Sequence, residues 1–212
     1  MERGSFLNLA ILCGFAALAA YNSLFQLPAY VVFIRTVGLA GFMLLCVSLM
    51  LGPLALIAPR DYGILLAHRR ALGIASFALV LAHTIFSFWL QSGLNLALLA
   101  DANGLIAVAA FLIMLVLTLT SSDWAVKNLP DWKGIQRLAY VAFALSFVHF
   151  IIKANGLFAP AGGGVFVNLG EIAMIVLGIA TVVLQAYGFY IVRGRKAAAQ
   201  AAKQNPEQKI EN

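Results

Sequence analysis

The sequence predicts an all-α integral membrane protein: a bundle of six transmembrane helices with both termini on the cytoplasmic side. Three observations carry this. Of 212 residues, 63% are hydrophobic and only 10% are charged, against about 45–50% and about 25% in a soluble domain. The apolar residues run together in stretches of roughly 20, the length that crosses a hydrocarbon core. The basic residues gather in alternate connections, the pattern that sets membrane orientation. So large an apolar surplus does not fit inside one water-soluble core, and lipid is the expected solvent.

The first span is expected from about Phe6 to Phe25. Its apolar stretch is longer than a signal-peptide core and only Arg3 precedes it, so it reads as a retained helix. The second runs from about Val31 to Ile57, with Pro53 near its end, and the third from about Ala71 to Leu90. The fourth covers about Gly104 to Thr120, the fifth about Ile135 to Ile152, and the sixth about Phe166 to Val192. Residues 59–70 and 121–134 form polar connections, and AGGG at 161–164 a flexible turn. The chain thus divides into a membrane domain, 1–192, and a basic cytoplasmic tail, 193–212, expected as frayed helix followed by disorder. Cys13 and Cys46 lie inside apolar runs and read as small hydrophobic side chains.

Orientation follows from the Lys and Arg positions. Arg60, Arg69, Arg70, Lys127, Lys133, Arg137, the five basic residues of the tail and Arg3 place 12 of 14 on one face. Only Arg35 and Lys153 fall toward the other. The rich face is cytoplasmic by the positive-inside rule. Topology therefore accounts for the net charge of +6, and no nucleic-acid partner is expected.

Ionisable residues inside spans are rare, and each is a functional candidate. His83 lies in the third span and His149 in the fifth, and these two helices run in the same direction. His83 follows Arg70 by 13 residues, about 20 Å of helix, and His149 follows Arg137 by 12, about 18 Å. Two neutral imidazoles at one level, in the outer half of the membrane, suit the two axial positions of a heme iron. The competing reading is that each ring hydrogen-bonds to a backbone carbonyl or to Ser76, Ser87 or Ser146. His68, in a basic loop, reads as a solvated side chain. Arg35, near the outer end of the second span, has two readings: pairing with a heme propionate, or snorkelling to headgroups. The same two apply to Lys153. Glu171, at the start of the sixth span, suits a helix N-terminus.

The stretch HRRALGIASFALVLAHTIFSF at 68–88 resembles the third helix of the ferric reductase-like transmembrane domain family. RTVGLAGFMLLCVSLMLGPL at 35–54, LTLTSSDWAVKNL at 117–129 and WKGIQRLAYVAFALSFVHF at 132–150 extend the resemblance across helices two to five. It is strongest to the short six-helix bacterial branch, which includes the heme-binding membrane subunit of the periplasmic methionine sulfoxide reductase system. The resemblance implies that His83 and His149 are the metal ligands of a heme b, that Arg69 and Arg70 are the basic pair opening helix three, and that Trp132 is the aromatic preceding helix five. In one respect the sequence departs from the pattern. The family usually carries a further His 13 residues before the last one, and here that position is Gln136. One heme is therefore expected rather than two.

No nucleotide-binding glycine motif is present, and the tail is too short for the flavin or NAD(P)H domain of larger ferric reductases. The expected role is a membrane electron-transfer subunit rather than a self-sufficient enzyme. Electrons would enter from a cytoplasmic flavin such as FMN, a flavoprotein or a quinone. They would leave to an extracytoplasmic acceptor, a methionine sulfoxide reductase or a metal, across a bacterial or archaeal cytoplasmic membrane. A cytochrome b561-like protein and a non-heme transport or assembly protein with structural histidines are the competing readings.

Overall fold

A computed structural model describes residues 3–23, 28–63, 65–99, 101–153 and 169–204. The described residues contain helices and turns and no strand. The long helices are α1 (Arg3–Ser23), α2 (Ala29–Ile57), α4 (Arg69–Phe86), α5 (Ala102–Leu119), α7 (Trp132–Lys153) and α8 (Leu169–Gln204). Two short helices, α3 (Pro59–Tyr62) and α6 (Asp123–Asn128), lie in the polar connections. Five segments are long and apolar enough to cross a membrane: Ala29–Ile57, Leu65–Gln91, Ala102–Leu119, Trp132–Lys153 and Gly170–Ala201. The apolar part of α1, Ile11–Ser23, is shorter.

Side chains are distributed as lipid solvation requires. Large apolar residues point outward, among them Leu105, Val183 and Tyr190. Polar Asn22, Thr36, Ser48, Ser76 and Thr181 are buried. In hydrocarbon a polar group gains by pairing across a helix interface, where small residues also let the backbones approach. α2 collects these pairings. It receives Asn22 Nδ2 from α1 on Thr36 Oγ1 at 2.9 Å and Gln185 Nε2 from α8 on the Leu49 carbonyl at 2.6 Å.

The α2–α4 interface carries a regular ladder. His83 Nδ1 meets the Ile34 carbonyl at 2.9 Å, Ser76 Oγ donates to the Gly41 carbonyl at 2.7 Å, and Ser48 Oγ donates to the Arg69 carbonyl at 3.0 Å. The rungs stand seven residues apart on both helices, two helical turns or about 10.5 Å. That spacing fixes an antiparallel register, and with it the level at which His83 sits. Glycine makes the close approach feasible. A Cβ at Gly41 would lie 3.0 Å from Val80 Cγ2, and one at Gly38 would lie 2.6 Å from His83 Nδ1.

Six spans are expected from the sequence, and five described segments are long and apolar enough; two further details differ. The third span leaves α-geometry at Ser87–Gln91, which forms a π-helical turn. α8 continues beyond Val192 to Gln204, because the Ala-, Gln- and Lys-rich stretch after Arg193 is strongly helix-forming. The expected disorder falls on 205–212, and the AGGG turn on 161–164; both lie outside the described residues.

Candidate heme-ligand pair

His83 lies in the last turn of α4 and His149 in the last turns of α7. Both stand at the same end of the bundle, with α2 as the common ruler. Ile34 and Gly38 meet His83. One turn further along α2, Phe42 stacks against three α7 rings, Phe143, Phe147 and Phe150, with centroids 5.9, 5.8 and 5.7 Å away. His149 lies between the last two of these in the chain.

The hydrogen bonds of the rings decide what they can do. A carbonyl oxygen only accepts, so His83 Nδ1 carries the proton that it gives to Ile34. His149 Nδ1 faces Asn103 Oδ1 at 2.9 Å, a side-chain carbonyl on the first turn of α5. In both rings the Nδ1 proton is engaged, which leaves the Nε2 lone pair for a metal. A metal-bound His has this arrangement: one nitrogen on the metal, the other donating to a carbonyl or carboxylate. Among the described residues no three His, Cys, Asp or Glu side chains converge. The pair is therefore suited to a cofactor that brings its own equatorial ligands. Aromatic side chains wall this end, with Phe33, Phe86 and Trp89 continuing the layer beside α4. The chemistry of the donor set, two histidines each held at Nδ1, suits the axial positions of a porphyrin.

The remaining predicted residues lie elsewhere. Arg35 Nη2 is bonded to Glu171 Oε1 at 2.7 Å, tying α2 to α8. Arg69 and Arg70 stand at the opposite end of the bundle, lining a cavity of about 500 Å³ with Trp132, Lys133, Gln136 and Arg137. Arg70 is also paired with Asp123 at 2.5 Å. Gln136 Nε2 donates to Thr120 Oγ1 at 3.3 Å, and Trp132 Nε1 donates to the Thr120 carbonyl at 2.9 Å. No histidine lines this cavity. Gly38 and Asn103 were missed from the sequence. The signal for Asn103 was its position: a polar residue just after the Asp101 cap of α5, at the level where the antiparallel α7 ends.

Residues 37–147, over half of the chain, match the ferric reductase like transmembrane component family. The chain belongs to that family. The matched segment contains His83 and stops two residues before His149. Curated relatives named "Protein-methionine-sulfoxide reductase heme-binding subunit MsrQ" are also similar. The Agrobacterium fabrum protein is 29% identical over 133 residues, covering 59% of this chain and 60% of its own length. The Brucella anthropi protein is 31% identical over 129 residues, covering 58% and 57%. The Brucella ovis protein is 35% identical over 100 residues, covering 43% and 44%. The chain thus spans less than two thirds of these relatives. No solved structure matches it. Family membership and the five apolar helices together make this an integral membrane protein.

Proposed function

We propose that the chain is a heme-binding electron-transfer subunit, holding one heme b between His83 and His149 near the extracytoplasmic face. A heme so placed supplies one-electron carriage. With both axial positions filled by imidazole, oxygen binding at iron is disfavoured. The observation that carries the reading is the matched state of the two rings, each with Nδ1 engaged on a carbonyl oxygen, which leaves Nε2 as the nitrogen for iron. The proposed topology is six spans with both termini cytoplasmic, so α1 crosses the membrane and the basic cavity opens inward. Arg69 and Arg70 would there receive an anionic donor such as FMN, with a flavoprotein or a neutral quinone as the alternative donors. Arg35 enters this proposal as the ion-pair partner of Glu171. The names of the relatives favour a methionine sulfoxide reductase as the acceptor.

The test is a reduced-minus-oxidised spectrum of protein purified from heme-sufficient cells. The proposal expects a heme b band in the native chain that is lost in His83→Ala and in His149→Ala. Absence of the band from the native chain, or its persistence in both variants, overturns the proposal.

A further inference from the structure

We infer that Asn103 is a positioning residue that sets the tautomer of His149 and, through it, the electron-donating strength of that imidazole toward iron. The inference rests on the bis-histidine reading above and adds a role for a side chain outside the ligand pair.

The two rings are held by chemically different acceptors. His83 leans on the backbone carbonyl of Ile34, inside α2, and is walled by Gly38. No side-chain substitution removes that acceptor. His149 leans on the amide of Asn103, which has an acceptor oxygen and a donor nitrogen on one carbon. With Oδ1 toward the ring, Nδ1 donates and Nε2 is free for iron. With the amide turned, its NH₂ would donate to Nδ1, and the proton would move to Nε2, the nitrogen that iron needs. Ligation at His149 therefore requires the observed orientation.

Asn103 is placed for this by its helix. It occupies the first turn of α5, where Asp101 caps the helix by accepting the Gly104 amide at 2.5 Å. The turn is thereby ordered, and the half-buried amide faces the end of α7. A hydrogen bond from Nδ1–H to an oxygen makes the imidazole more basic, and a carboxylate does so more strongly than an amide. A stronger donor stabilises ferric over ferrous iron and lowers the midpoint potential. Asn103 is thus the adjustable side of an otherwise backbone-fixed pair.

The experiment uses the full chain, purified with its heme, as native protein, Asn103→Asp and Asn103→Leu. Heme per chain, midpoint potential and the low-spin electron paramagnetic resonance signal are measured. Asn103→Asp, which can only accept when ionised, should keep its heme at a lower potential than the native protein. Asn103→Leu should lose part of its heme and hold the remainder at a higher potential. If Asn103→Leu does not fold, the near-isosteric Asn103→Asp still decides by its potential. Unchanged potential and resonance signal in the variants that fold would overturn the inference, as would loss of heme from Asn103→Asp with full retention in Asn103→Leu. Native protein without heme would instead overturn the bis-histidine reading on which the inference stands.

Discussion

The two ends of the helix set α2, α4, α5 and α7 use similar scaffolding for opposite chemistry. At the histidine end, two neutral imidazoles are held by carbonyl oxygens among stacked phenylalanines. At the basic end, Arg69, Arg70, Lys133 and Arg137 surround a cavity in which Gln136 takes the place facing Thr120. An amide is a poor iron ligand but a good hydrogen-bond partner, so the proposed function assigns the metal to one end and an anion to the other. The difference depends on a few side chains, because α4 and α7 pass through both levels.

The largest expected effect separates the ends by heme content. His83→Ala and His149→Ala should each abolish heme binding, whereas Gln136→Ala should leave heme per chain unchanged. A comparable loss in Gln136→Ala would erase the distinction. Next, Gly38→Ala places a methyl against the His83 ring, 2.6 Å from Nδ1. Overpacking of this kind costs about 1–3 kcal/mol, and the variant should show reduced heme retention and a lower thermal midpoint. Native retention in Gly38→Ala would mean that the His83 ring lies elsewhere.

At the basic end, Arg69→Gln combined with Arg70→Gln should weaken FMN binding, read by fluorescence quenching, by about tenfold, or about 1.4 kcal/mol. The heme spectrum should not move. The smallest effect belongs to the ladder between the ends. Ser76→Ala removes the bond to the Gly41 carbonyl and should cost about 0.5–1.5 kcal/mol, seen as a lower unfolding temperature with heme retained.

Much of this was legible from residue order. Apolar length predicts six spans, of which five are long and apolar enough among the described residues, and the expectation that His83 and His149 share a level comes from their distances to Arg70 and Arg137. What was hidden depends on which helices are neighbours. The Arg35–Glu171 pair joins residues 136 apart, and nothing local to Arg35 distinguishes it from a snorkelling side chain. The seven-residue rungs at 34, 41 and 48 against 83, 76 and 69 emerge only when α2 and α4 are laid antiparallel. Because two rungs use backbone carbonyls of α2 and one uses a backbone carbonyl of α4, no pairing of residue types signals them. Asn103 was overlooked for the same reason: its meaning comes from α7. The continuation of α8 to Gln204 falls on the alanine-rich start of the tail, the part expected as frayed helix.

The most direct measurement is the axial ligation of iron in the oxidised native protein, by near-infrared magnetic circular dichroism together with heme-to-chain stoichiometry. One low-spin center per chain with the charge-transfer energy of two imidazole ligands is the predicted result. A high-spin center, a different axial pair, or two hemes per chain would contradict the account.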